Sequence, residues 1–190
     1  MSGSSNSLAY IFWHWPKDGV ERAEYEYAIA CFHRALADER PPGFRSSNVF
    51  RIPRLPWLAP DDEVYEDWYF IEGSAALDPL NEAAVAGSCG VQHDVVAHAA
   101  EGGTGALYRL MRGASSGGTR FCAWLSKPRE TTYEHFYGKL TPLLEERVAG
   151  LWRRQMVLGP APEFALRTLD RIELPEGLEA EKVILDPLLD

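Results

Sequence analysis

One order of elements is written twice in this chain, and that constrains the fold more than any single motif. Leu8–Trp15 (LAYIFWHW) reads as a strand rich in aromatic residues and stopped by Pro16. Val20–Asp38 reads as a helix, because Tyr25, Ala28, Ile29, Phe32, Ala35 and Leu36 recur at helical spacing and form one apolar stripe. Pro41-Pro42-Gly43 forbids its continuation. Phe44–Ile52 and Val64–Glu72 read as strands joined by a proline-rich connection. Gly73-Ser74 opens a helix to about Val85, and Val91–Ala100 reads as a second short helix. Gly102–Gly105 reads as a turn into a strand over Ala106–Arg112. The sum is β-α-β-β-α-β.

The pattern restarts after Ser115-Ser116-Gly117-Gly118, a flexible joint. Arg120–Leu125 is a strand, Thr131–Val148 a helix, and Leu151–Leu158 and Phe164–Leu174 are strands. The last stretch, Pro175–Asp190, has room only for a curtailed helix and a short edge strand at Lys182–Leu185. Phe12 and Trp15 recur as Phe121 and Trp124, and Tyr25-Glu26 recurs as Tyr133-Glu134 at a lag one residue shorter. The expected architecture is α+β, with a ferredoxin-like half over 8–113 and a shortened one over 119–188.

Composition excludes several classes. Aromatic residues make up 12%, far above what a disordered chain carries. The formal net charge of −9 and pI near 5.1 disfavour a phosphate backbone as partner, so no nucleic acid is expected. Cys31, Cys89 and Cys122 have neither paired nor metal-type spacing, which fits idle thiols in a reducing compartment. Met1–Ser7 lacks the basic and apolar regions of a secretory signal, and no apolar run has transmembrane length. A cytoplasmic protein with no membrane partner is the expectation.

Two β-α-β-β-α-β units in one acidic chain resemble the dimeric α/β-barrel superfamily, in its tandem form where one chain carries both halves. The second half is similar to EthD-type domains through Ser126-Lys127-Pro128, Tyr133-Glu134-His135-Phe136 and Thr141-Pro142-Leu143. It departs from them at Leu140, where that family commonly has a histidine, and the first half has Arg34-Ala35-Leu36 in place of a Pro-Leu. The resemblance implies helices outside paired antiparallel sheets, a cavity, and a homodimer. Relatives of this fold include monooxygenases, cyclases, stress-responsive proteins and haem-handling enzymes, so fold alone does not select the function.

The candidate chemistry is sparse. His14, at the end of the first strand, is a candidate proton acceptor near neutral pH, set against a plain strand-end histidine. Alternation puts Tyr10, Phe12 and His14 on one face and Ile11, Trp13 and Trp15 on the other. His98 is the second catalytic candidate. His93 and His98 stand about 140° apart on a regular helix, which argues against joint ligation, and no metal site is expected. They are also the first axial-ligand candidates should haem be bound, and no cofactor is otherwise implied. His33 and His135 read as helix-surface or subunit-contact residues. Gly102-Gly103-Thr104-Gly105 lacks the Lys-Ser/Thr of a phosphate loop. Trp13, Trp68, Trp124 and Tyr108 are candidate walls for a small apolar or aromatic ligand, set against simple core filling. Arg45, Arg51 and Asp67, with Tyr65 and Tyr69, are candidates to orient it by hydrogen bonds, set against polar faces turned to water. The leading expectation is a cofactor-independent enzyme, whether monooxygenase, cyclase or proton-transfer catalyst, acting on an aromatic or polyketide-like substrate. The alternative is a non-catalytic stress-response-type binding or scaffold protein.

Overall fold

The computed structural model describes residues 7–58, 63–113, 118–146, 148–156 and 159–189. The first strand, β1 (Leu8–Pro16), leads to α1 (Arg22–Glu39), then to β2 (Phe44–Ile52) and β3 (Val64–Ile71). A single 3-10 turn precedes α2 (Leu77–Ala84), and α3 (Gly87–Ala99) runs into β4 (Ala100–Gly113). Beyond the joint come β5 (Phe121–Leu125), α4 (Tyr133–Glu146), β6 (Val148–Arg154), β7 (Phe164–Thr168), β8 (Ala180–Ile184) and β9 (Asp186–Pro187).

The nine strands form one sheet of order β8-β5-β7-β6-β4-β1-β3-β2-β9, paired antiparallel throughout. The order β4-β1-β3-β2 in the first part recurs as β8-β5-β7-β6 in the second. Only Leu185 separates β8, which pairs with β5, from β9, which pairs with β2. One short segment thus joins the two ends of the sheet and brings it close to a closed barrel. That arrangement leaves little edge for a foreign strand to pair with. No described helix is long and apolar enough to cross a membrane.

The inside of this barrel is packed. Trp13, Trp68, Trp124 and Trp152 are each at most 1% exposed. Their rings meet edge-on or tilted, with centroids 5.3 Å apart for Trp13–Trp124, 6.0 Å for Trp68–Trp124 and 5.6 Å for Trp68–Trp152. Tyr108 closes on Trp124 at 5.6 Å and donates its hydroxyl to Pro162 O at 2.6 Å. Two charged side chains share this interior. Glu66 accepts the indole N–H of Trp13 at 2.8 Å and of Trp68 at 2.6 Å. Burial pushes its carboxyl up to about 6, against the two indole bonds and the charge of Arg167. The Arg167 guanidinium lies over Trp68, 4.4 Å from the ring centre, and burial pulls its pKa down to about 10, so it stays charged.

Three expectations need correction. The run Gly102–Gly105 is strand, not turn, because β4 pairs with β1 through all four residues. Its glycines answer a packing need: a Cβ on Gly103 would stand 2.4 Å from the Phe12 ring, and one on Gly105 2.5 Å from the Tyr10 hydroxyl. The C-terminal stretch holds no helix among the described residues. Instead Ile172 and Leu178, in the connection between β7 and β8, pack directly against the apolar layer of Phe136, Leu140 and Leu166. His33 is no surface residue but 1% exposed, since it shares the buried stripe of α1 with Ile29, Phe32 and Leu36.

Candidate functional site

Alternation in β1 and β3 presents two different surfaces. Ile11, Trp13, Glu66, Trp68 and Phe70 face the barrel interior. Tyr10, Phe12, His14, Asp67 and Tyr69 face the helices, and there a cavity of ≈ 770 Å³ opens between the sheet and α1, α2 and α3. Its floor is β1 and β3, with Gly102 and Gly103 of β4 at one side. Phe32 and Leu36 of α1, Leu80 of α2 and Val96 of α3 form apolar walls. The bare backbone at Gly103 is what lets the Phe12 ring lie flat on the floor.

A polar cluster sits in the floor. Asp67 pairs with Phe12 in the β1–β3 register, which sets its side chain beside that of His14. His14 Nε2 lies 3.3 Å from Asp67 Oδ1, and His14 Nδ1 lies 2.6 Å from the Tyr25 hydroxyl. His33 Nε2 lies 3.5 Å from the same Asp67 oxygen, and His33 Nδ1 lies 2.7 Å from Ser47 Oγ. Tyr69 donates its hydroxyl to Asp67 Oδ2 at 2.7 Å. The imidazole of His14 is stacked between Phe12 and Tyr65, at 5.6 and 5.7 Å, and that of His33 lies flat on Tyr69 at 5.3 Å.

The electrostatics of the cluster follow from this geometry. Burial by itself would raise the Asp67 carboxyl. The charge of His14, then that of His33, and a hydrogen bond from each outweigh burial and hold it well below the usual carboxylate range. Burial and the Asp67 charge push the Tyr25 and Tyr69 phenols up, so both stay protonated. The Tyr25 hydroxyl holds one ring nitrogen of His14 and Asp67 the other. Asp67 is thus a fixed anion with one acceptor position to spare, since a carboxylate offers about four.

The other residues singled out by sequence are dispersed. Trp13, Trp68, Trp124 and Tyr108 lie in the packed barrel interior, on the far side of the sheet from the cavity. Arg51 pairs with Glu26 of α1 and with Asp186 of β9, outside the cavity. His98 is exposed on α3, with its Nδ1 2.7 Å from Asp94 O, and it does not line the cavity. His93 does line it, edge-on to Phe32 at 5.9 Å. No group of three or more potential metal ligands occurs among the described residues. Sequence reasoning singled out His14, Asp67 and Tyr69 but passed over Tyr25 and His33 as functional groups. A usable signal existed for one of them: Ile29, Phe32, His33 and Leu36 stand at i, i+3, i+4 and i+7, so His33 belongs to the buried stripe.

Solved structures share this architecture. A candidate monooxygenase of Fusobacterium nucleatum superposes with a TM-score of 0.63 at 10% identity, covering 97% of this chain and 94% of that one. A candidate monooxygenase of Lactobacillus acidophilus gives 0.59 at 11% identity, covering 97% and 95%. An anthrone oxidase-like protein gives 0.55 at 8% identity, covering 100% and 94%. No family model matches the sequence, and no curated protein matches it. At these identities the likeness speaks for the fold alone.

Proposed function

We propose that the protein is a cofactor-independent enzyme that removes a proton from a flat aromatic or polyketide-like substrate held in the cavity under α1–α3. The observation that carries this reading is the Asp67 carboxylate, flanked by His14 and His33, in the floor of an otherwise apolar, aromatic cavity. A substrate C–H or O–H laid over the floor meets the spare acceptor position of Asp67. A proton delivered there passes to an imidazole, because this carboxyl is held low and gives its proton up. His33 Nε2, 3.5 Å from Asp67 Oδ1, can receive that proton when Ser47 Oγ accepts the proton on Nδ1. His14 keeps the carboxylate oriented, and Tyr25 holds His14 in place. The substrate anion left behind is the species that reacts with dioxygen or cyclises.

The names of the superposable proteins, two candidate monooxygenases and an anthrone oxidase-like protein, point the same way. The convergent polar groups speak against a purely structural scaffold. We also read the repeated strand order as two ferredoxin-like halves, 8–113 and 119–188, with the site carried by the first, in a protein that forms a homodimer.

Anthrone, a neutral tricyclic carbon acid, is a suitable probe. Its methylene should exchange for deuterium faster with the protein than without it. Where oxygenation follows, one dioxygen converts anthrone to anthraquinone and water. His14→Ala and Asp67→Asn should each lose at least about a hundredfold of the acceleration, the scale of a removed acid–base group. No acceleration by the wild-type protein would remove the enzymatic reading.

A further inference from the structure

We propose that the cavity admits its substrate uncharged and discriminates against ligands that arrive as anions. The inference rests on the proton-transfer reading and specifies the substrate class for that same site. Every permanently charged side chain on the cavity lining is acidic: Asp67 in the floor, and Asp78 and Glu101 at the exposed rim. No Lys or Arg is among the described residues that line it. The nearest lysine in the chain's course, Lys17, spends its ammonium on the carbonyl of His98 at 2.7 Å. A carboxylate, sulfate or phosphate ligand therefore enters a low-dielectric space beside a buried anion, with no cation to receive it.

The charge count explains how such a site can still generate an anion. The Asp67 carboxylate lies in the floor beside His14 and His33. A neutral substrate that gives up its proton to this cluster becomes negative while the cluster gains one positive charge, so the total stays the same. A ligand that arrives ionised adds a negative charge instead, and no Lys or Arg among the described lining residues compensates it.

Calorimetric titration at about pH 7 with 2-naphthol and 2-naphthoate tests this, because the ring system is shared and only the hydroxyl and the carboxylate differ. The expected result is naphthol binding at least about tenfold more tightly. The double variant Asp78→Asn/Glu101→Gln should strengthen naphthoate relative to naphthol about threefold or more. Naphthoate binding as tightly as naphthol overturns the proposal, while the proton-transfer reading still stands or falls on anthrone exchange. A gap untouched by the double variant overturns the assignment to the rim carboxylates. If naphthol does not bind at all, the aromatic-ligand reading fails and this inference fails with it.

Discussion

Glu66 and Asp67 are neighbours in sequence, both buried, and they titrate in opposite directions. The difference is which face of β3 each one occupies. Glu66 points into a barrel packed with indole rings, where two N–H donors and one caged guanidinium do not outweigh the loss of water, and its pKa rises to about 6. Asp67 points to the helix side, where two imidazoles and a phenol converge on it and hold its carboxyl low. The same contrast separates the two faces at large. The interior face is filled. The helix face of the first part of the sheet is open and polar at its floor, whereas that of the second part is closed by Ala123, Leu125, Phe164 and Leu166 packed on Phe136 and Leu140. Two parts with one strand order thus hold one cavity with a polar floor and one apolar layer. What separates them is helix cover: α1, α2 and α3 arch over the first, while only α4 and a close-packed connection cover the second.

The sharpest way to break the contrast is to empty the filled side. Trp124→Ala removes a ring in contact with Trp13, Trp57, Trp68 and Tyr108, and should cost about 3–5 kcal/mol. Chemical denaturation measures it. A loss below 1 kcal/mol would mean that the interior is not the packed core described.

Removing the anion on the open side comes next. Asp67→Asn leaves two imidazoles and Tyr69 facing a neutral amide, and should cost about 1.5–3 kcal/mol at neutral pH. The wild-type carboxyl is held below its unfolded value, so its contribution is present above about pH 4 and is lost as the pH falls through the folded pKa. The gap between wild type and variant should therefore close on acidification, which urea titrations at descending pH would follow. A gap independent of pH would contradict the charged partnership.

Glu66→Gln probes the opposite sign. The Glu66 carboxyl titrates at about 6 in the folded chain, above its ordinary value of 4.5. Its stabilising contribution is full below about pH 4.5 and is lost as the pH rises through about 6, a change of about 2 kcal/mol. The amide cannot titrate, so the variant should show a flat profile over that window while the wild type declines. Equal slopes for the two proteins would put the Glu66 titration elsewhere.

Much of the frame was legible in the sequence. The alternation of β1 groups Tyr10 with Phe12 and His14, and the structure keeps that grouping. The stripe on α1 buries Tyr25, Ile29, Phe32 and Leu36 as expected. The glycine run at 102–105 was misread because glycine breaks regular structure when judged locally. Here each bare Cα makes space for an aromatic ring from the neighbouring strand, a reason that exists only after β1 and β4 pair.

Periodicity sorts residues into faces, but it does not say which face is filled and which is open. That depends on the summed volume of side chains contributed by distant strands, and four buried indoles from β1, β3, β5 and β6 fill the barrel. The pairing of β1 with β3 likewise depends on the whole sheet, and it alone carries His14 to Asp67 across 53 positions of sequence. Local spacing determined the elements and their faces because both follow from nearest-neighbour geometry. The cavity, its acidic rim and the Asp67–His14–His33 cluster of its floor were decided only in the tertiary structure, because they are contacts between segments that the sequence keeps apart.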